Sequence, residues 1–274
     1  MPKQLLVGNN GTPNSRAAGE LAIDLARQYG ARLQAVGIVD VPRLTSPEPV
    51  PLGATQYKEQ RDAAILQTAH EEMDRLLSEY AAACAAAGVA AYGTIKLAGE
   101  PVEVLVREVQ RHDLLLVGKK HAPADEWEQA TRTLDELLRR TSRPVLSVPV
   151  ARTMGAPAVV AYNGSLEAAR TLAAFVASGL AEGRELHVVS LGAGAAEHAG
   201  LAADYLAGHD LDAAQHVEEE APAPAERILE IARRTAAGLI VMGSHSHGRM
   251  AEFFFGSVTK TVLRESKVPL FLFH

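Results

Sequence analysis

The chain has 274 residues, 47% of them hydrophobic, which is enough for more than one globular domain of about 100–200 residues. Its formal net charge of −6 argues against nucleic acid or an acidic membrane as a partner, and no apolar run approaches the roughly 20 residues of a membrane-spanning helix. The single cysteine, Cys84, excludes an internal disulfide framework and is typical of a reducing compartment. We therefore expect a soluble, cytoplasmic protein.

Apolar, strand-like runs alternate with helical patterns along the first half of the chain. Residues 5–7 predict a strand, and the helix after it is expected to begin with Asn14 or Ser15 as its cap and to end at Gly30. The other elements predicted in this half are strands at 33–39, 89–97, 114–117 and 144–148 and helices at 57–87, 101–111 and 127–140.

A break at 151–157 is followed by a second series of the same kind. It predicts strands at 158–162, 185–191, 216–219, 239–242 and 268–273 and helices at 166–180, 196–206, 224–235 and from 256 onward. The turn Asn10-Gly11-Thr12 matches Asn163-Gly164-Ser165 in the second series. Strands that alternate with helices through short turns predict parallel sheets covered by helices. The sequence therefore predicts two α/β domains of one plan, at 1–151 and 156–274.

The stretch 239–259 combines features that favour an anion. An apolar strand is followed by a loop rich in glycine, serine and histidine, and a helix opens at Gly256-Ser257. A helix N-terminus presents backbone N–H groups without intrahelical acceptors and a partial positive charge. Small residues on the facing loop let a ligand approach the backbone, so this stretch is a candidate phosphate site.

The same stretch resembles the nucleotide-binding loop of the universal stress protein family, which reads Gly, two residues, Gly, nine residues, Gly, then Ser or Thr. Gly243 and Gly256-Ser257 match this pattern, whereas Ser246 stands at the second-glycine position. The resemblance covers almost the whole chain in tandem. It implies two doubly wound domains, each with a five-stranded parallel sheet whose first and fourth strands are neighbours. It also implies that the two fifth strands, 145–148 and 270–273, approach across a pseudo-twofold axis as the two sheets pack on each other.

The resemblance also implies an adenine nucleotide, ATP or AMP, with Mg²⁺ compatible with ATP, bound between the first and fourth strands of the second half. Asn163 stands where the family usually has an aspartate that meets the nucleotide, and we expect it to contact the base or ribose. The glycines and Ser246 are expected to admit the phosphates, and the start of the last helix to hold them. The full set of predicted site residues is Asn163, Gly164, Ser165, Gly243, Ser246, Gly248, Arg249, Gly256, Ser257, Val258 and Thr259.

In the first half the motif is degenerate. Thr131 and Arg132 stand where the second half has its Gly-Ser pair, and His121 stands at the second-glycine position. We expect these bulky side chains to block a phosphate seat. The functional alternative is that Lys119, Lys120 and Arg132 bind a different anion, and the simpler interpretation is a solvated basic loop.

Other candidate residues have simple structural interpretations. His245 and His247 lack a clear third ligand for a metal. Cys84 has no histidine near it in sequence and is interpreted as core filler. We expect the acidic run 218–220 to be solvated and the aromatic run 253–255 to be packed against the protein.

No catalytic constellation is evident in the sequence, so we expect a nucleotide-responsive stress protein that is not an enzyme, with weak ATP hydrolysis compatible with the family. Two alternatives stay open. One is a protein-interaction module of the same fold that no longer binds nucleotide, because both Ser246 and Asn163 depart from the family pattern. The other is an enzyme of the related nucleotide-handling folds. A homodimer or another protein partner is compatible with either.

Overall fold

The computed structural model describes residues 1–45, 55–119, 124–150, 155, 157–244 and 256–274, with the backbone alone for 124–130. The strands of the first half are β1 Gln4–Gly8, β2 Arg32–Val39, β3 Tyr92–Ala98, β4 Leu114–Gly118 and β5 Val145–Val148, and those of the second are β6 Ala158–Ala161, β7 Leu186–Leu191, β8 Ala213–Glu218, β9 Leu239–Gly243 and β10 Leu270–Phe273. The helices are α1 Pro13–Tyr29, α2 Val41–Leu44, α3 Thr55–Ala86, α4 Pro101–Val109, α5 Ala124–Arg140, α6 Leu166–Ala177, α7 Ala195–Ala207, α8 Pro224–Arg234 and α9 Ser257–Glu265.

The described strands form one sheet in the order β3-β2-β1-β4-β5-β10-β9-β6-β7-β8. Counted within its own half, each set of five strands has the same order, 3-2-1-4-5, and every pair inside a half is parallel. The predicted adjacency of first and fourth strands is confirmed by β1 beside β4 and β6 beside β9. The predicted fold class, two tandem doubly wound units, is confirmed as well.

The two halves meet where β5 and β10 pair antiparallel, with Ser147 opposite Leu270 and Val145 opposite Leu272. The prediction that the fifth strands approach each other is therefore confirmed. We expected two sheets packed on each other, and the structure instead joins them edge to edge into a continuous sheet. Each fifth strand ends its own parallel set, and the antiparallel pairing satisfies the backbone N–H and C=O groups along both of these edges.

Two apolar layers run across both halves, one on each face of the sheet. Helices α1, α3, α6 and α7 cover one face, and α4, α5, α8 and α9 cover the other. Phe175 of α6 and Phe271 of β10 are fully buried in the first layer, with ring centroids 5.5 Å apart in an edge-to-face arrangement. Each layer is shared by both halves, so the sheet junction lies inside a common core.

The ends of several elements differ from the predicted ones. Thr12 caps α1, because its side chain accepts a hydrogen bond from the Ser15 backbone N–H at 3.3 Å and Pro13 follows it, so the predicted cap at Asn14 or Ser15 is wrong. Gly30 ends this helix as predicted, with φ at 62°. Strand β8 begins at Ala213, well before the predicted position 216, because an exposed edge strand carries little apolar pattern.

Candidate functional site

The carboxyl ends of β6 and β9 lie side by side, with Ala161 opposite Met242. The winding of the second half reverses between these strands, because β7 lies on the far side of β6 and β10 on the far side of β9. Open parallel sheets bind ligands in the crevice outside the strand ends at such a reversal. The turn 163–165 follows β6 and Gly243 ends β9, so these predicted site residues lie at this edge of the sheet.

The turn after β6 is organised by Asn163. Its Oδ1 atom accepts a hydrogen bond from the Ser165 backbone N–H at 3.2 Å, and Ser165 Oγ accepts one from the Ala168 N–H at 3.1 Å and so caps α6. Gly164 between them has φ at 71°, a left-handed conformation that favours glycine. Because Asn163 is exposed, its amide N–H₂ group can donate to a ligand while the oxygen holds the turn.

The glycine that ends β9 lies in backbone contact with α6. A Cβ atom at Gly243 would come 3.0 Å from the nitrogen of Ala168 and 3.1 Å from the carbonyl carbon of Glu167. The matching glycine in the first half, Gly118, is closer still to α1, at 2.5 Å from the Ser15 nitrogen. The first half therefore requires glycine here for helix packing, whereas a Cβ atom in the second half would require only a small shift of α6.

Helix α9 begins beside the end of β9. Thr259 is 4% exposed, and its Oγ1 lies 3.5 Å from the carbonyl oxygen of Gly243. Gly256 is the N-cap and brings no side-chain cap, whereas Ser257 is exposed. The carbonyl oxygen of Gly256 accepts a hydrogen bond from the Lys260 backbone N–H at 3.0 Å. The first-turn N–H groups of α9 thus lie near the winding reversal, and Gly256 has no side chain that could cap them.

The neighbouring helix α7 is capped differently. The carboxylate of Glu219, which follows β8, accepts hydrogen bonds from the backbone N–H groups of Gly194 and Ala196, both at 3.0 Å. The bond from Ala196, and then that from Gly194, holds the pKa of Glu219 below its ordinary value. Glu218 pairs with Arg227, with Oε1 2.6 Å from Nε. Two carboxylates of the acidic run therefore bind protein partners, and in the described ranges no group of three metal-ligating side chains occurs.

Some predicted site residues lie outside the described residues. They are Ser246, Gly248 and Arg249, together with His245, His247 and the aromatic run 253–255. Their roles stay predictions.

The first half lacks a helix N-terminus at the matching position. Helix α5 runs from Ala124 to Arg140 and passes straight through Thr131 and Arg132, so the N–H groups there lie inside a helix and bond to preceding carbonyls. We expected bulky side chains to block the seat. The helix predicted at 127–140 is confirmed to run through this position. It begins at Ala124, whereas the matching helix of the second half begins at Ser257, so the first half has no helix N-terminus there.

Lys119 does not belong to a solvated loop. Its Nζ donates to the carbonyl oxygens of Arg264 and Ser266, at 3.0 and 2.6 Å, at the C-terminal end of α9. The residue is 8% exposed, and burial lowers the pKa of its ammonium from 10.5 to about 8. Its interpretation as part of an anion site or of a solvated basic loop is therefore wrong, while Lys120 lies outside the described residues.

His198 of α7 is a neighbour of the site that the sequence did not indicate. A Cβ atom at Gly164 would collide with its Cδ2 atom, and one at Gly194 would come 3.3 Å from its Cε1. The half-buried imidazole thus rests against the Asn163 turn. The contact joins two turns from separate strands, and no local pattern could have revealed it.

No helix in the described ranges has both the length and the apolar character needed to cross a membrane.

The model of the universal stress protein family matches residues 1–149 and again 156–274. A universal stress protein of Mycobacterium tuberculosis is 26% identical over 301 residues, which cover 97% of this chain and 93% of that protein. One from Synechocystis is 27% identical over 169 residues, and this chain spans 58% of its length. The crystal structure of a universal stress protein from Archaeoglobus fulgidus covers 98% of this chain and 95% of its own, at 20% identity and a TM-score of 0.75. The chain therefore belongs to the universal stress protein family, in a tandem form with two copies of the family's domain.

Proposed function

We propose that this protein is an adenine-nucleotide-responsive stress protein of the cytoplasm with one nucleotide site, in the second of two domains at 1–151 and 156–274. The observation that carries the proposal is the start of α9. It lies at the winding reversal of the second half, and its N-cap, Gly256, supplies no side chain to its first turn. Such a helix end favours a phosphate through its N–H groups and its dipole.

The proposed ligand is ATP or AMP, with Mg²⁺ beside ATP. The N–H groups of Ser257, Val258 and Thr259 hold the phosphates, and the exposed Ser257 hydroxyl adds a donor. The Asn163 amide faces the base or ribose from the neighbouring turn. Gly243, Ser246, Gly248 and Arg249 complete the site in this proposal. The role is binding rather than catalysis.

Calorimetric titration with ATP and with AMP, in the presence of Mg²⁺, tests this proposal. We expect one site per chain. Gly256→Arg places a long side chain where the phosphates approach, and we expect it to abolish binding with an unchanged circular dichroism spectrum. Thr131→Arg is the matched control in the first half and should bind like the parent. Two equivalent sites per chain, or full binding by Gly256→Arg, would contradict the proposal.

A second candidate is a protein-interaction module of the same fold without nucleotide. The observation that favours it is that two polar groups of the site already have internal partners, since Asn163 Oδ1 accepts from Ser165 and the Thr259 hydroxyl faces the Gly243 carbonyl. Thermal unfolding with and without ATP separates the two candidates. A melting temperature that rises with ATP concentration supports the nucleotide site, because a ligand that binds only the folded state stabilises it by mass action. An unchanged melting temperature up to millimolar ATP supports the interaction module.

A further inference from the structure

Lys119 connects the first half of the chain to the helix that opens the proposed site. It directly follows β4, and its backbone N–H donates to the Val148 carbonyl at 2.6 Å, which fixes its position beside β5. Its side chain then extends into the second half, where Nζ binds the carbonyl oxygens of Arg264 and Ser266. A residue of the first half therefore binds the C-terminal end of α9.

The chemistry of this contact suits a helix end. The last carbonyl groups of a helix have no intrahelical donors and carry a partial negative charge, and a lysine ammonium offers three N–H donors and a positive charge. Burial disfavours the charged form, while the nearby Glu265 carboxylate favours it. With a pKa of about 8, the Lys119 side chain is mostly protonated at pH 7.

Helix α9 is short enough for one end to position the other. Its nine residues span about 13 Å at 1.5 Å per residue. Val262 and Leu263 are buried against the sheet, and Thr259 meets Gly243 at the N-terminal end. The Lys119 contact holds the remaining end, so a shift of that end would move the first-turn N–H groups as well.

The position that matches Lys119 in the second half carries a much shorter side chain. The residue that follows β9, Ser244, occupies the place of Lys119, and its backbone N–H donates to the Phe273 carbonyl at 2.9 Å just as Lys119 does to Val148. Its side chain is a single CH₂OH group and lacks the reach of a lysine. The first domain thus binds the end of α9 through a lysine, whereas the matching residue of the second domain, Ser244, is too short to bind the end of α5 in the way a lysine would.

We propose that Lys119 is a positioning residue for the nucleotide site: by binding the C-terminal carbonyls of α9, it holds the phosphate-facing N–H groups of that helix in place from the other domain. This inference rests on the proposed function for its effect on nucleotide affinity. The attachment of α9 itself can be tested without any ligand.

The principal variant is Lys119→Met, which keeps the apolar stem and removes the donors. We expect hydrogen–deuterium exchange to become faster in α9, and ATP to bind about tenfold more weakly, the change expected when the competent arrangement of α9 falls to about a tenth of the molecules. Lys119→Arg keeps the charge and the donors and should recover most of the affinity. Should Lys119→Met fail to fold, Lys119→Gln, which keeps a neutral N–H₂ donor on a shorter stem, is measured in the same two ways.

The matched control is Lys96→Met. Lys96 also belongs to the first half and joins two of its elements, since its Nζ binds Asp74 Oδ2 at 2.5 Å and the His70 carbonyl at 3.4 Å, remote from α9. We expect it to change neither α9 exchange nor ATP affinity. Exchange in α9 that is the same in Lys119→Met and the parent overturns the inference, and so does an equal loss of affinity in Lys119→Met and Lys119→Arg. A parent that binds no ATP refutes the proposed function, while the exchange measurement still decides whether Lys119 holds α9.

Discussion

The glycines that end the fourth strand of each half offer a direct test of what the sequence motif is for. A Cβ atom at Gly118 would lie 2.5 Å from both the carbonyl carbon of Asn14 and the nitrogen of Ser15, whereas at Gly243 the nearest atom, the nitrogen of Ala168, is 3.0 Å away. Ordinary contacts of a Cβ atom begin at 3.4 Å. The same substitution to alanine is therefore far more demanding in the first half than in the second.

The magnitudes follow from these distances. Gly118→Ala must move the start of α1 by about 1 Å, and such overpacking against backbone costs about 3 kcal/mol, the upper part of the usual range. Gly243→Ala requires a shift of a few tenths of an ångström and costs about 1 kcal/mol. Replacing glycine by alanine also lowers the conformational entropy of the unfolded chain, which stabilises the folded state of both variants by about 0.4–1 kcal/mol. We predict a net loss of about 2 kcal/mol for Gly118→Ala and a loss close to zero for Gly243→Ala.

The assay is urea unfolding followed by circular dichroism. Gly200→Ala is the control for the glycine effect itself, because Gly200 lies inside α7 with open space around it, and we expect it to stabilise the protein by about 0.5–1 kcal/mol. Equal losses in Gly118→Ala and Gly243→Ala, or a larger loss in the second, would show that helix packing does not set the need for glycine. Loss of ATP binding by Gly243→Ala at unchanged stability would show instead that ligand approach requires it.

Three further predictions concern the site, a partly buried histidine and the sheet junction. Ser257→Ala should weaken ATP binding by roughly 10- to 100-fold in calorimetric titration, since a hydrogen bond to a charged group contributes about 1.5–3 kcal/mol; an unchanged affinity would place the phosphates elsewhere. Burial, and then the neighbouring His187 and Arg234, lower the pKa of His216 below 6.5. The unfolded chain therefore takes up this proton first, and the urea midpoint should fall as the pH drops below about 6.5, less so in His216→Gln; equal pH dependence in both proteins would exclude His216 as the cause. Phe271→Ala removes a fully buried ring at the junction and should lower the free energy of unfolding by about 3–5 kcal/mol in one transition, whereas two separate transitions would show that the halves unfold independently.

The order of strands and helices could be predicted from the sequence because most strands of this fold are buried on both faces. Such strands appear as short apolar runs, as in 114–117 and 239–242, and the glycines between them mark the turns. The pairing of first and fourth strands was implied by the resemblance to the universal stress protein family, because no single run could indicate it. The exposed edge strand β8 was predicted poorly because it lacks such an apolar run, and only half of its residues are even partly buried.

The parts of the site that were missed depend on contacts between residues far apart in sequence. Lys119 binds carbonyls 145 and 147 residues away, and nothing near it in the chain distinguishes it from a surface lysine. The helix of the first half was not missed in the same way, because the helix predicted at 127–140 already covered Thr131 and Arg132. The structure begins this helix slightly earlier, at Ala124.

The antiparallel pairing of β5 with β10 has a consequence for why the two halves share one chain. A half produced by itself would expose a four-residue apolar strand with one unpaired backbone edge, either Val145–Val148 or Leu270–Phe273. Edges of this kind recruit any compatible strand, including another copy of themselves. Covalent linkage raises the effective concentration of one half around the other to about the millimolar range. Strand β5 therefore pairs with β10 of its own chain before it can pair with the β5 of another molecule. We therefore expect the two halves, expressed as separate fragments, to form homodimers of each half as well as the heterodimer. The tandem chain avoids this mixture because both halves are always present together.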